Sequence, residues 1–507
     1  MARTGGETRT SADAHVSADL HVVHASPILF EFLAPRLQRR VMLVMLAIVA
    51  VVFAACVAAW WPAPIVAADT AGYQVAGRDI ADGSIDALQL RPPGYPFLLS
   101  LTGSIDQPTT ALLVVQLICY LMAVWVLTVQ LTHYVSDRWP VVGLLVVGLL
   151  PPFVEQAAVA LTEAPTALLL SVGVAAYMIY LRRPSFGLTL TGSCLLAVSS
   201  LIRPTYQLLA PSLATAVFVV MWSGVHTSSD DRPTQRRLAA HLLLTPMIMT
   251  LVVVGGLSTF NFAKFGYFGV TPLVGWNLAT RTSTFVQHLP DRYARERAVL
   301  VQARDETLVS NDQHTAGNYV YSARQQIVDG LGLSGVDLHK HMLEMQVHLI
   351  LSKPDRYVLE VGRASGIYWL PMFEDVIDEG SPLLRYTYAL VHVVVVALFF
   401  LQLAVTLTIT IARGREGLLT GARGLLACWL AIGAVLYTCT VSVTFDTGNP
   451  RFNDPVQPLM LFATAFGLHA VTQIRSRWLP TKQIITLPDA SDKRRSTAEN
   501  GAARTVT

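Results

Sequence analysis

Charged side chains are scarce in this 507-residue chain: they make up 14% of it, whereas an average soluble domain carries about 25%. Hydrophobic residues account for 53%. The formal net charge is only +3, so the chain lacks the basic excess of a nucleic-acid-binding protein, and we expect no nucleic acid among its partners. The deficit of charge indicates that lipid is the solvent for much of the surface.

Cysteine is also rare. The chain has five, all of them inside apolar runs and without the spacing of a metal site. The polar loops contain none, which excludes a disulfide framework there. We interpret the five as small apolar residues of helices. They are Cys56, Cys119, Cys194, Cys428 and Cys439.

Long apolar runs dominate what is present. A membrane-spanning helix needs about 20 mostly apolar residues, and about ten runs approach that length. The first run follows a long polar stretch and exceeds the roughly 7–15 apolar residues of a signal peptide, so we expect an uncleaved anchor; cleavage near Ile65–Thr70 is the alternative. The ten predicted spans are Val41–Trp61, Ala111–Leu131, Trp139–Phe153, Leu161–Leu181, Phe186–Ile202, Tyr206–Trp222, Leu238–Phe260, Tyr386–Ala412, Leu425–Val443 and Pro458–Ile474.

Arginine distribution predicts the orientation. Basic residues favour cytosolic loops, and the arginines cluster in alternate loops if the N-terminus is cytosolic. The sequence therefore predicts an all-α polytopic protein of the cell membrane with both termini in the cytosol. Its predicted parts are a cytosolic N-terminal tail (1–40), a transmembrane bundle (41–260) with a first external loop (62–110), a large external loop domain (261–385), C-terminal transmembrane helices (386–474) and a disordered cytosolic tail (475–507). Within the large loop, Asp291–Val309 and Asp337–Ser352 have helical patterns.

The first external loop concentrates polar chemistry beside the membrane. Asp69 lies a few residues past the first apolar run, and the segment Arg91-Pro92-Pro93-Gly94-Tyr95-Pro96 follows. The prolines restrict their own backbone and that of the residues before them. We expect this segment to wall a cavity, with Phe97–Leu101 as an interfacial or re-entrant helix. A carboxylate at the mouth of such a cavity has the chemistry of a general base.

Three more polar positions fall at the external ends of predicted spans. Glu163 opens an apolar run, where a carboxylate is costly unless it faces a cavity or partner; a helix-start acid favoured by the dipole is the alternative. Arg203 lies in a tight connection between two spans, and Arg451 lies in the segment Thr447–Pro455. Arginine suits phosphate, which it holds bidentately. Carboxylates and arginines on one face are what transfer from a lipid-phosphate donor requires.

These residues, in this order, resemble the GT-C family of membrane glycosyltransferases that use polyprenyl-phosphate sugars, such as protein O-mannosyltransferases and lipid A aminoarabinose transferase. In that family an Asp of the first external loop is followed by a Tyr and a Pro-Pro segment, matched here by Asp69, Tyr73 and Arg91–Pro96. A later Glu, an Arg-Pro between spans and a late Arg-Phe-x-x-Pro are matched by Glu163, Arg203-Pro204 and Arg451–Pro455. The resemblance extends from Val41 to about Ile474.

The resemblance implies a GT-C-like bundle and an inverting transfer from a polyprenyl-phosphate sugar to a hydroxyl of a lipid, glycan or protein acceptor. Asp69 would be the catalytic base. Arg203, Arg451 and Arg91 would hold the donor phosphate, and Tyr73, Tyr95 and Glu163 would line the substrate cavity. Thr70 stands where many members have a second acid, so a divalent metal ion is a candidate cofactor without an assigned site; Asp79, Asp82 and Asp86 are the other acids nearby.

Two other functions compete with transfer. A transporter or flippase of polyprenyl lipid normally has polar residues at the membrane midplane and internal repeats, and neither feature is visible here. A non-catalytic lipid-binding scaffold of envelope assembly is the other alternative, since Asp69 has no acidic neighbour. His341, Glu344 and His348, with His339 near, share a helical face, but their spacing is not the His-Glu-x-x-His of zinc proteases, and a solvated helix is the preferred interpretation.

Overall fold

A computed structural model describes residues 35–225, 232–310, 319–371, 382–420, 423–446 and 448–478. Arg36–Val471 form one compact unit. A second unit consists of Met1–Pro35 and Thr472–Thr507, of which only 35 and 472–478 are described, as helix ends. In the described part of the chain the regular structure is helical, with no β-strand and one isolated bridge between Ile65 and Val159. Most of both predicted tails lies outside the described residues, and 475–478, predicted as the start of a disordered tail, are helical.

The apolar runs of the first half form helices joined by short connections. A π-helical turn at Leu251–Gly255 joins the helices Arg232–Thr250 and Gly256–Phe265 within one long apolar segment. The helices are α1 (Pro35–Trp60), α2 (Thr70–Ala81), α3 (Gly94–Leu101), α4 (Thr110–Thr132), α5 (Arg138–Gly148), α6 (Pro151–Val154), α7 (Glu163–Arg182), α8 (Phe186–Ser199), α9 (Leu209–Val225), α10 (Arg232–Thr250) and α11 (Gly256–Phe265).

The large loop and the C-terminal half are helical as well. The two helices predicted in the large loop are confirmed, as Ala294–Ser310 and Gly335–Ser352. The helices are α12 (Val274–Thr282), α13 (Ala294–Ser310), α14 (Tyr319–Ser322), α15 (Arg324–Leu331), α16 (Gly335–Ser352), α17 (Pro354–Ile367), α18 (Pro382–Thr420), α19 (Arg423–Phe445) and α20 (Gln457–Trp478).

Six described helices are long and apolar enough to cross a membrane, or up to seven if the bent pair α5–α6 is one span. Each predicted span contains helix. Helix α8, however, has only 14 residues, about 21 Å at 1.5 Å per residue, which is shorter than the roughly 30 Å of a bilayer core. The count of ten therefore stays a prediction. The six are Arg39–Trp60, Thr110–Thr132, Glu163–Arg182, Ala240–Phe265, Arg385–Ala412 and Gly424–Phe445.

The predicted span Trp139–Phe153 is not one continuous helix, and this is a correction. Helix α5 ends at Gly148, and the chain bends by 66° into the segment that begins at Pro151. Two prolines cause the break: Leu150 precedes Pro151 and adopts extended backbone (φ −71°, ψ 149°), as a residue before proline prefers. The break turns Glu155 and Gln156 inward, where both are buried.

Helix α7 lies at the centre of the bundle and packs against α4, α8 and α19. Most of its side chains are buried, including Glu163 at its first turn. The large loop has a core of its own, built on Trp276, Leu300, Tyr319 and Met342. A carboxylate at the start of the most central helix is thus held at the bundle end that also carries the first loop (62–110).

Candidate functional site

The turn that carries Asp69 is tied to the chain just before α7. Ile65 donates to the carbonyl of Ala158 at 2.8 Å and accepts from Ala160 at 2.8 Å. The hydroxyl of Thr70, which is fully buried, donates to the carbonyl of Ala160 at 3.0 Å. Asp69 directly precedes α2. This turn is therefore fixed beside the segment that leads into Glu163, and Thr70 serves the backbone.

The proline segment of the first loop is held against the connection that carries Arg203. The amide of Gly94 donates to the carbonyl of Leu201 at 2.8 Å. A Cβ on Gly94 would lie 2.8 Å from both that oxygen and the side chain of Ile202. Only glycine permits this approach, so Arg91 and Arg203 reach the same region from opposite sides of one close backbone contact.

Five predicted residues meet in a continuous series of ion pairs, which we call the arginine–carboxylate chain. Arg91 contacts Asp69 at 2.9 Å, and Arg451 contacts the other oxygen of Asp69 at 2.6 Å. Arg451 also contacts Glu163 at 3.3 Å, and Glu163 contacts Arg203 at 3.2 Å. The order is Arg91, Asp69, Arg451, Glu163 and Arg203.

The two ends of the chain differ in burial. The side chain of Asp69 is 34% exposed, whereas Glu163 and Arg203 are 3% and 6% exposed. Loss of one partner from a buried ion pair costs about 3–5 kcal/mol, because the remaining charge stays desolvated. Removal of a partner is therefore most costly at the inner end, whereas Asp69 at the outer end is accessible to a ligand.

Aromatic side chains support the arginines at the two ends of this series, Arg91 and Arg203. The guanidinium of Arg91 lies 4.5 Å from the ring centre of Tyr73, and that of Arg203 lies 4.9 Å from the ring of Phe452. Tyr73 packs edge-on against Tyr95 at 5.1 Å. Tyr73 and Tyr95, both predicted to line the cavity, thus hold Arg91 of the arginine–carboxylate chain in position. Tyr95 is fully buried.

Sequence reasoning missed Gln116, which anchors this aromatic pair. Its side-chain oxygen accepts from the hydroxyl of Tyr95 at 2.9 Å. Its amide donates to the carbonyls of Ala157 and Val159 at 3.0 and 2.6 Å. Gln116 lies in α4 and is fully buried. A glutamine in an apolar span was the available signal, because buried polar side chains there need partners.

The pKa of Asp69 reflects its neighbours. Burial by itself raises the pKa of this carboxyl, but the charges and hydrogen bonds of Arg451 and Arg91 outweigh burial and lower it from 3.8 to about 2. Asp69 is therefore ionised at neutral pH and a weak base in this state. Removal of the arginines from Asp69 would raise its pKa and its basicity.

A small pocket with a cavity volume of about 20 Å³ lies beside Arg451. This space holds about one water molecule, so a larger ligand would have to open it. Tyr388 of α18 closes one side and donates to the carbonyl of Pro152 at 3.1 Å. The carboxylates of the pocket suit the hydroxyl groups of a ligand, and Arg451 suits an anionic group. The lining residues are Pro152, Glu155, Gln156, Val159, Leu161, Glu163, Tyr388, Arg451 and Asp454.

The start of the large loop fixes the approach to Arg91. Tyr267 donates to the carbonyl of Gln89 at 2.8 Å, and Thr271 donates to that of Leu90 at 3.2 Å. Tyr321, farther along the loop, interacts electrostatically with Asp69 and Arg91. The large loop therefore borders the outer end of the arginine–carboxylate chain. Sequence alone gave no pairing between these segments.

The other acids of the first loop do not join Asp69. Asp79 lies ten positions along α2, about 15 Å away by helix rise, and Asp82 and Asp86 lie beyond it and are exposed. In the part of the chain that the structure describes, no group of three or more His, Cys, Asp or Glu side chains has the arrangement of a metal site.

Two histidines of α16, His341 and His348, lie against the same ring of Tyr293. His341 contacts Glu296 at 3.1 Å. Tyr293 contacts both Glu344 and His348, at 2.8 and 2.9 Å. His339 is buried against Trp276, and burial, with Arg324 nearby, lowers its pKa to about 4.

No protein-family model, curated protein or solved structure matches this chain. The site therefore has to be judged on its own geometry.

Proposed function

We propose that this protein is an inverting glycosyltransferase that moves a sugar from a polyprenyl-phosphate donor to a hydroxyl acceptor at the external face of the membrane. One observation carries the proposal: three guanidinium groups converge on two carboxylates at one end of the bundle. These five groups by themselves leave one positive charge (three minus two), and the carboxyl groups of Glu155 and Asp454 lie in the adjoining pocket. A sugar phosphodiester carries about one negative charge and would complete the balance.

The pocket beside Arg451 supports the same ligand chemistry. Arg451 contributes the cationic side, and Glu155, Glu163 and Asp454 contribute hydrogen-bond acceptors. A phosphate linked to a polyhydroxyl group presents an anion and several hydroxyl donors close together. Asp454 and Gln156 are held in register, because Gln457 donates to Asp454 at 2.8 Å and accepts from Gln156 at 3.1 Å.

In the proposed reaction Asp69 takes the proton of the acceptor hydroxyl. The acceptor oxygen forms a bond to the anomeric carbon from one face while the bond from that carbon to the phosphate oxygen breaks. The electron pair leaves with the polyprenyl phosphate, whose added negative charge Arg451, Arg203 and Arg91 stabilise. The donor phosphate competes with Asp69 for Arg451 and Arg91, so donor binding raises the pKa of Asp69 and prepares it as a base.

A second candidate is a lipid-phosphate-binding protein without transferase activity. The specific observation in its favour is the pKa of Asp69, about 2, because an efficient general base has a pKa near the working pH. In this case the arginine–carboxylate chain would be a binding site only.

The test is transfer by purified protein in lipid nanodiscs, with a panel of polyprenyl-phosphate sugars and a mixture of envelope acceptors. We expect Asp69→Asn to lower transfer by about 100-fold or more, as loss of a general base does, while donor binding persists. Arg451→Gln should weaken donor binding. The matched control is Asp106→Asn, which removes an exposed ion pair with Arg78 near the same loop and should change neither quantity.

Equal transfer by wild type and Asp69→Asn would remove Asp69 from the mechanism. Tight binding of polyprenyl phosphate without transfer from any donor would favour the second candidate. Absence of both binding and transfer would reject both candidates.

A further inference from the structure

Helix α17 and the turn that follows it have a buried face and an exposed face. The buried face is apolar and includes Ala364 and Tyr368. The exposed face carries Val358, Leu359 and Leu370, together with the charged side chains of Arg356 and Arg363 in its first part. An apolar face without a partner on the surface of a folded protein indicates a binding surface.

Charge divides the same segment along its length. Lys353, Asp355, Arg356, Glu360 and Arg363 lie in its first part, and 364–371 contain no charged residue. The segment is therefore polar where it leaves the large loop and apolar at its end. A helix of this composition suits a path from water into lipid.

The buried face fixes how deep α17 reaches. Near its start, Tyr357 donates to the carbonyl of Thr444 at 2.6 Å, at the end of the span in α19. Near its end, Ala364 and Tyr368 pack with Cys439 and Val443 of the same span. Cys439 is six residues before Phe445, about 9 Å farther along the span by helix rise.

Contacts with α18 also place the end of α17 beside an apolar segment. The ring of Trp369 lies 5.8 Å from that of Phe399 and 4.8 Å from that of Phe400, centre to centre. His392 contacts the carbonyl of Trp369 at 3.3 Å. All three partners belong to the apolar segment Arg385–Ala412. The end of α17 therefore lies beside two membrane spans, below their outer ends.

We propose that α17, with Trp369 and Leu370, is embedded in the leaflet on the large-loop side and that lipid acyl chains cover its exposed face. This face is continuous with exposed apolar side chains of α18, since Phe400 and its neighbour Leu401 are also exposed. The exposed face of α17 points away from α18 and α19 at a depth where both are surrounded by lipid, so lipid is what it meets. The inference does not depend on the glycosyltransferase proposal.

This position couples the leaflet to the arginine–carboxylate chain. Gly448, at a left-handed backbone position (φ +69°), lies so close to α17 that a Cβ would be 2.7 Å from the carbonyl of Ala364. Phe452, whose ring lies under Arg203, packs against the cluster of Ala364 and Tyr368. Lipid packing on α17 therefore holds the segment that carries Arg451.

The experiment measures the depth of single positions in liposomes of phosphatidylcholine and phosphatidylglycerol. A ketone side chain, introduced at one position at a time and coupled to a nitroxide, leaves the native cysteines unchanged. The positions are Val358, Leu359 and Leu370, with Val309 of α13 as a matched control, because it is an exposed valine of the large loop. Collisions with oxygen report lipid, and collisions with a nickel chelate report water.

We expect the oxygen-to-nickel collision ratio to be several-fold higher at Val358, Leu359 and Leu370 than at Val309, and highest at Leu370. Nickel accessibility equal to that of Val309 would place the face in water and overturn the proposal. A strongly immobilised label shielded from both reagents would show that protein covers the face, from 372–381 or a partner, and would also overturn it. All three substitutions are at exposed side chains, and the elution volume of each variant verifies its fold.

Discussion

At the residue scale, the site depends on which groups share Asp69. Arg91 contacts one oxygen of this carboxylate at 2.9 Å, and Arg451 contacts the other at 2.6 Å. The pKa of Asp69 is low because both guanidinium groups favour its charged form. Thr70, the next residue, does not share in this chemistry, because its hydroxyl is used by the carbonyl of Ala160.

The low pKa predicts a pH dependence of stability. The pKa of Asp69 falls from its usual 3.8 to about 2 in the folded protein, so its ion pairs stabilise the fold above about pH 4 and are lost as pH falls through about 2. We expect Asp69→Asn to unfold at a lower temperature than wild type at pH 7, and the difference to close between about pH 4 and 2. Thermal unfolding in detergent at several pH values measures this.

Asp106→Asn is again the control, because its exposed ion pair with Arg78 contributes little. A difference between wild type and Asp69→Asn that stays constant from pH 7 to pH 2 would contradict the assignment.

At the element scale, short irregular segments at the ends of helices determine the geometry of the site. The turn before α2 pairs through backbone bonds with the segment before α7, and the proline segment before α3 pairs with the connection after α8. A 3-10 helix at Pro450–Val456 adds Arg451. Helices alone would leave these groups apart, because each group lies beyond the end of its helix or in its first turn.

The contact at Gly94 gives a prediction at this scale. Gly94→Ala would bring a Cβ to 2.8 Å from the carbonyl of Leu201, so the proline segment must move away from the connection that carries Arg203. We expect an unfolding temperature lower by several degrees, from a cost of about 1–3 kcal/mol typical of overpacking, and weaker donor binding. Both are measured on the purified variant.

Gly143→Ala is the matched control, because Gly143 lies inside α5 with nothing near its Cβ position. Helix propensity predicts unchanged or slightly raised stability for this variant. If the two variants behaved alike, the close approach at Gly94 would not matter for the site.

At the scale of the whole molecule, the central helix and the large loop define one functional end. Glu163 begins the most enclosed span, which is 78% buried. The large loop borders the same end through Tyr267 and Thr271. The site therefore lies where apolar spans give way to polar loops, which is where a ligand with a lipid chain and a polar head would bind.

The orientation of this end stays a prediction from arginine distribution. We expect a membrane-impermeant reagent to label a ketone side chain introduced at Val309, which is exposed in α13, in intact cells. A fluorescent protein fused to the C-terminus should be fluorescent in the cytosol. Protection of position 309 in intact cells, with labelling only after lysis, would reverse the predicted orientation.

The sequence by itself determined the helical membrane class, the order of the polar segments and the residue types of the site. Those properties follow from local composition: apolar length predicts helices across lipid, and an acid or an arginine at a span end stands out against it. The sequence did not reveal the break at Leu150 or the role of Gln116. Only the tertiary structure joined Asp69 to Arg451, which are 382 residues apart, and turned Thr70 toward Ala160. Such pairings depend on how distant helix ends pack, and no local pattern of side chains encodes that packing.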